Sequence, residues 1–94
     1  MNKPFSEACE RNREPILHYL QQWLVKPELV VEVGSGTGQH AVYFAEHMPH
    51  LLWQPTDRAE HLAGITMWRE ESKLNNLLMP VELDVEKSWT ITTC

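Results

Sequence analysis

The stretch that constrains this chain most is Val30-Val31-Glu32-Val33-Gly34-Ser35-Gly36-Thr37-Gly38-Gln39-His40. A β-branched run closes on an acidic residue, three glycines follow at alternate positions, and a helical pattern begins. That order belongs to a buried parallel strand passing into a helix through a loop that lies against a ligand. Glycine suits such a loop because it adopts positive φ and has no Cβ to hold a ligand off the backbone. Spacing narrows the ligand. A phosphate-binding P-loop requires Gly-x4-Gly-Lys-Ser/Thr, and Gln39 follows Gly38 here, which argues against nucleoside triphosphates. The dinucleotide fingerprint would put its third glycine at position 39, which is Gln, and this disfavours a nicotinamide cofactor.

Around that stretch the pattern predicts a helix followed by β-α-β-α-β. Residues 1–14 read as a polar N-terminal arm, with at most a short helical turn from Ser6. Pro15 suits the first turn of a helix, and Ile16, Leu17, Leu20, Trp23 and Leu24 recur at helical spacing before Pro27 closes the element. Residues 29–33 form the first strand. Ala41, Phe44, Ala45 and Met48 mark a second helix stopped by Pro49, and Leu51–Gln54 a second strand leading to Pro55-Thr56-Asp57. Residues 59–74 form a third helix that buries Leu62, Ile65, Met67 and Trp68, weakened slightly by Gly64. Asn75-Asn76 is a turn, and residues 79–83 are a third strand, with Pro80 at its start or at a sheet edge. The fold class is α/β: a single domain over residues 1–94, one half of a doubly wound Rossmann-like sheet. Right-handed crossovers give three parallel strands in the order 3-2-1, with helices flanking and the loops after the strands lining one crevice.

Composition excludes several function classes. Ninety-four residues make one small domain, and 43% hydrophobic with 22% charged residues is a globular balance. A net charge of −5 and the absence of any Lys/Arg run disfavour a nucleic-acid surface. Cys9 and Cys94 form no CxxC, no secretory signal precedes them, and no apolar run is long enough to span a bilayer; these features point to the cytoplasm.

Few residues are placed to carry chemistry. Asp57 stands 19 residues beyond Gly38, at the second strand's tip, where a carboxylate accepts ribose hydroxyls; the less favoured alternative is a cap on the next helix. Asp84, at the third strand's tip, can accept from an adenine amino group while Val85 contacts the ring, or it can serve as a turn residue. His47 and His50 flank Pro49 without the further ligands that zinc needs, so no metal site is expected. His18 and His61 read as helix-surface residues. His40 borders the glycine loop, as a packing residue or as a neighbour of a cofactor. Cys9 has no evident partner base, and Trp53 and Trp68 read as core.

The motif Glu32-x-Gly34-x-Gly36-x-Gly38 resembles the first motif of the class I, Rossmann-like S-adenosylmethionine-dependent methyltransferases. S-adenosylmethionine carries no phosphate. Glu32 suits its ammonium, directly or through water, while the loop amides and the helix N-terminus suit its carboxylate. Three further strings narrow the resemblance: Pro4-Phe5-Ser6-Glu7-Ala8-Cys9-Glu10-Arg11-Asn12-Arg13-Glu14-Pro15-Ile16, then Gly36 to Ala45, then Trp53-Gln54-Pro55-Thr56-Asp57. Together they resemble a small methyltransferase-like family long catalogued as a domain of unknown function. That resemblance spans roughly residues 3–89. It implies S-adenosylmethionine held by Glu32, Gly34, Ser35, Gly36, Thr37, Gly38, Asp57, Asp84 and Val85, and methyl transfer to an unknown acceptor. Arg11-Asn12-Arg13 would fold over the cofactor or cap a helix.

Members of that family continue with further strands and helices, so the resemblance implies a chain truncated before the fourth strand, without the part that would hold a substrate. The first strand would then be an open apolar edge, and a homodimer through that edge is expected. The alternative function is a non-catalytic, oligomerising Rossmann-like remnant without useful cofactor affinity.

Overall fold

Three helices and a three-stranded parallel sheet make up the computed structural model, which describes residues 3–84. In chain order these are α1 (Glu7–Trp23), β1 (Leu29–Val33), α2 (Gln39–His47), β2 (Leu52–Asp57), α3 (Ala59–Ser72) and β3 (Val81–Glu82). The sheet order is β1-β2-β3 with parallel pairing throughout, and helices flank it: half of a Rossmann-like fold. The expected order and class are the observed ones.

The N-terminal helix begins earlier than Pro15. Ser6 caps it, its hydroxyl accepting from the Cys9 amide at 3.3 Å, and Glu7 and Glu10 lie in the first turn, where the helix dipole favours negative charge. Glu7–Arg11 and Glu10–Arg13 pairs add support along the exposed side. These local signals carry the helix through Pro15, despite the lost bond to the carbonyl one turn back and the ring's crowding of it. Leu17 is buried, and Leu20 and Leu24 pack beside it, whereas Ile16 and Trp23 lie exposed.

The core lies between the sheet and the helices: Leu17, Ala41, Phe44, Ala45, Met48, Leu51, Trp53 and Leu77 form one cluster. In α3, Ile65 is the buried apolar side chain, while Leu62, Met67 and Trp68 are half-buried. Gly64 is required there, because a Cβ would stand 2.6 Å from the Pro4 ring.

Strand β2 continues through Pro55, beyond the expected end at Gln54. The backbone bonds of Trp53 and Asp57 run to the β3 side, so by alternation the missing N–H of Pro55 also faces that side. There the ladder is already interrupted, between a bridge at Trp53–Leu77 and the pair Thr56–Val81. The Gln54 amide fills the gap, donating to the Met79 carbonyl at 2.8 Å. That interruption also leaves β3 as two residues rather than the expected five over 79–83. The turn residue Asn76 is buried and donates to the carbonyls of Ala45 (2.8 Å) and Leu51 (3.1 Å), tying the end of α2 to the start of β2.

Trp53 points toward α2, so its strand neighbours Leu52 and Gln54 face away from the helices. Register places Leu29, Val31, Val33 and Val81 on that same far face. Leu29, Val33, Leu52 and Val81 are about half exposed there.

Candidate functional site

The glycine loop crosses the C-terminal ends of β1 and β2. Thr56 fixes its start: the amides of Gly34 and Ser35 both donate to the Thr56 carbonyl, at 3.0 and 2.8 Å. Thr56 Oγ1 donates to the Glu32 carbonyl at 2.6 Å, and the Thr56 amide donates to Ser35 Oγ at 3.1 Å. The loop closes where the Gly38 amide donates to the Ser35 carbonyl at 3.0 Å. Gly34, Gly36 and Gly38 all adopt positive φ, at 76°, 61° and 97°.

The three glycines serve different ends. A Cβ on Gly38 would meet Ile65 Cα at 3.1 Å and Trp68 Cβ at 3.3 Å, so this residue lets the loop pack onto α3. Gly34 and Gly36 face open space, with nothing within 4 Å of a Cβ built on either. Two alternate backbone positions, on either side of the buried Ser35, are thus bare.

Two carboxylates flank this bare stretch. Glu32 Oε1 accepts from Ser35 Oγ at 2.7 Å and from Trp53 Nε1 at 3.1 Å. Asp57 Oδ2 accepts from the Gly36 amide at 2.8 Å, and Oδ1 accepts from the Arg58 amide at 2.7 Å. Every donor to them here is neutral. Among the described residues the ion pairs join other side chains, and none reaches Glu32 or Asp57. Negative charge held by neutral donors beside an open backbone favours a cationic or hydroxyl-bearing ligand.

Asp84 lies just past β3, and the Leu83 amide donates to the Asp57 carbonyl at 2.8 Å, so the β3 tip stands next to Asp57. Val85 lies outside the described residues. The expected set from Glu32 to Gly38 therefore converges with Asp57 on one rim, and the chain reaches Asp84 beside it.

Other candidates make hydrogen bonds, ion pairs and ring contacts. Arg13 pairs with Glu10 and stacks on the Tyr43 ring, at 4.5 Å from its centroid, while Arg11 pairs with Glu7 on the exposed side of α1. A ring nitrogen of His40 lies 3.2 Å from the Cys9 carbonyl, and its ring packs on Phe44. His47 and His50 bond to the carbonyls of Tyr43 and Leu24, and no group of metal-ligating side chains forms among the described residues. Cys9 is a half-buried free thiol.

A model of the family described as "Protein of unknown function (DUF938)" matches residues 3–93. The chain belongs to this family.

Sequence reasoning missed how the rim of this DUF938 chain is braced. Gln39 is buried, and its amide accepts from the Ser6 amide and from Thr37 Oγ1 while donating to the Ser6 carbonyl at 3.2 Å. It thereby clamps the N-terminal segment to the glycine loop. Trp68 Nε1 donates to the Pro4 carbonyl at 2.6 Å, and Lys3 lies over the Trp68 ring while pairing with Glu71. Trp53 is core, as expected, but its indole N–H also reaches Glu32. Apart from the local Thr37–Gln39 bond, such contacts join positions 21 or more residues apart, and no local pattern announces them. No helix among the described residues is long and apolar enough to cross a membrane.

Proposed function

We propose that this DUF938 chain binds S-adenosylmethionine at the glycine loop, in the cytoplasm, and is a methyltransferase-like protein. The observation that carries this reading is the pair Glu32 and Asp57, held by neutral donors on either side of the bare Gly34–Gly36 backbone. Glu32 would accept the ligand's ammonium and Asp57 its ribose hydroxyls. The amides of Gly34, Ser35, Gly36 and Gly38 already donate to Thr56, Asp57 and Ser35, so it is the start of α2 that would face the ligand's carboxylate. Asp84, with Val85, would receive the adenine.

When bound, the cofactor supplies an electrophilic methyl group on sulfur. The part of the described residues is positioning. Glu32 and Asp57 fix the two ends of the ligand, Thr56 and Ser35 keep the loop shape, and Gly38 seats the loop on α3.

The test is calorimetric titration with S-adenosylhomocysteine, with NAD as comparison. Micromolar binding of the first and none of the second is expected. The reverse preference would return the loop to the dinucleotide class.

A second reading, a non-catalytic oligomerising module, is favoured by the sheet edge. Register turns the N–H and C=O groups of Leu29, Val31 and Val33 away from β2, and no strand pairs with them among the described residues. An apolar open edge of this kind is a template for pairing. We propose a homodimer joined there about a twofold axis near Val31. Light scattering on the eluting peak of a sizing column should return twice the chain mass, and a stable monomer at high concentration would sink the idea.

A further inference from the structure

The carboxylate of Glu32 is held unevenly, and the unevenness assigns a role to a core residue. Two donors converge on the single oxygen Oε1: the Ser35 hydroxyl at 2.7 Å and the Trp53 indole N–H at 3.1 Å. Trp53 is 3% exposed and packs on Phe44, so its indole cannot swing freely. In the parallel register Trp53 lies opposite Val30 and Pro55 lies opposite Glu32, which places the indole one step behind the carboxylate on the same sheet face. Ser35 is 7% exposed, and its hydroxyl also accepts the Thr56 amide. Both donors are therefore rigid, and they reach Glu32 from within the fold.

A half-buried carboxylate with two fixed donors on one oxygen keeps a single orientation. We propose that Trp53 and Ser35 are positioning residues: by occupying Oε1 they present Oε2 of Glu32 to the ammonium of an amino-acid-bearing nucleoside ligand. This inference rests on the cofactor reading above and adds what selects the amino-acid half of the ligand. A carboxylate free to rotate would spread its hydrogen bonds between water and ligand, and would lose the benefit of a preformed site.

Two probes separate the ends of the ligand. S-adenosylhomocysteine carries the ammonium, whereas 5′-methylthioadenosine keeps the nucleoside and sulfur and lacks the amino acid. Trp53→Phe retains a ring in the core and removes the N–H. It should weaken S-adenosylhomocysteine binding about tenfold, the scale of one hydrogen bond to a charged group, and leave methylthioadenosine binding unchanged. Glu32→Gln should weaken the same probe, and the double variant should lose little more than Glu32→Gln alone, since Trp53 acts through Glu32. Should melting curves show Trp53→Phe unfolded, Trp53→Tyr, which keeps more of the ring's bulk and likewise lacks the indole N–H, provides the same comparison.

Equal weakening of both probes, or full additivity of the two substitutions, would reduce Trp53 to a packing residue and overturn the proposal while the cofactor reading stands. Failure of the unaltered chain to bind either probe would remove the cofactor reading, and this inference with it.

Discussion

Asp57 accepts the amide of Gly36 at 2.8 Å, so the tip of β2 holds the middle of the glycine loop. The residue expected to touch a ligand is thus also part of the loop's own scaffold. Asp57→Ala removes that bond and the one to the Arg58 amide, and should cost about 1–2 kcal/mol in urea unfolding. Asp57→Asn keeps one acceptor oxygen and should cost less. If ribose hydroxyls are the second partner, both variants lose S-adenosylhomocysteine affinity, and Asp57→Asn separates that loss from the loss of stability. An Asp57→Ala chain as stable as the parent would contradict the scaffold role.

The glycines make a sharper pair. Gly38→Ala places a methyl 3.1 Å from the Ile65 Cα, at a φ of 97° that side chains avoid. A cost of about 2–3 kcal/mol is expected. Gly34→Ala meets only the conformational penalty, about 1 kcal/mol, because nothing lies within 4 Å. The order reverses for ligand binding: the Gly34 methyl projects into the open side, so this milder substitution should abolish S-adenosylhomocysteine binding. Titration and thermal melting of the two variants, side by side, check both halves.

Much of this architecture is legible in the sequence because it is local. The β-branched run and alternating glycines specify β1 and its loop, and the 3.6 spacing of Ala41, Phe44, Ala45 and Met48 specifies α2 with its buried face. Where two local signals compete, the sequence misleads. Pro15 looks like a helix start, but the cap at Ser6 and the acidic first turn begin the helix eight residues sooner. Pro80 and Met79 look like strand, but Gln54 satisfies the Met79 carbonyl with a side chain and the ladder never forms. The site divides in the same way: its backbone glycines and carboxylates are visible in the sequence, whereas the side chains bracing them, Trp53 and Gln39, act across 21 and 33 residues.

Gln39 illustrates what that bracing does. Its amide uses both ends on Ser6, accepting from the N–H and donating to the C=O, and it accepts from Thr37 Oγ1 as well. Gln39→Glu keeps the acceptor and removes the donor, leaving the Ser6 carbonyl facing a carboxylate. Hydrogen exchange at the Ser6 and Cys9 amides should accelerate in Gln39→Glu and more so in Gln39→Ala, while amides of β2 stay protected. Unchanged exchange at Ser6 would mean that Pro4, Trp68 and Lys3 alone hold the segment.

Asn76 offers the clearest stability test, since its side chain bonds to no residue of the candidate site. Its Nδ2 serves the carbonyls of Ala45 and Leu51, with Met48 at 3.4 Å, in a fully packed setting. Asn76→Ala strands buried acceptors, at about 1–3 kcal/mol for each group left unsatisfied. Asn76→Asp is nearly the same size but brings a carboxylate oxygen against those carbonyls, so it should be worse at neutral pH than Asn76→Ala. The deficit of Asn76→Asp should shrink as pH falls through the carboxylate range, because the protonated form regains a donor. Urea unfolding at two pH values distinguishes this from simple loss of packing, which would leave the deficit unchanged.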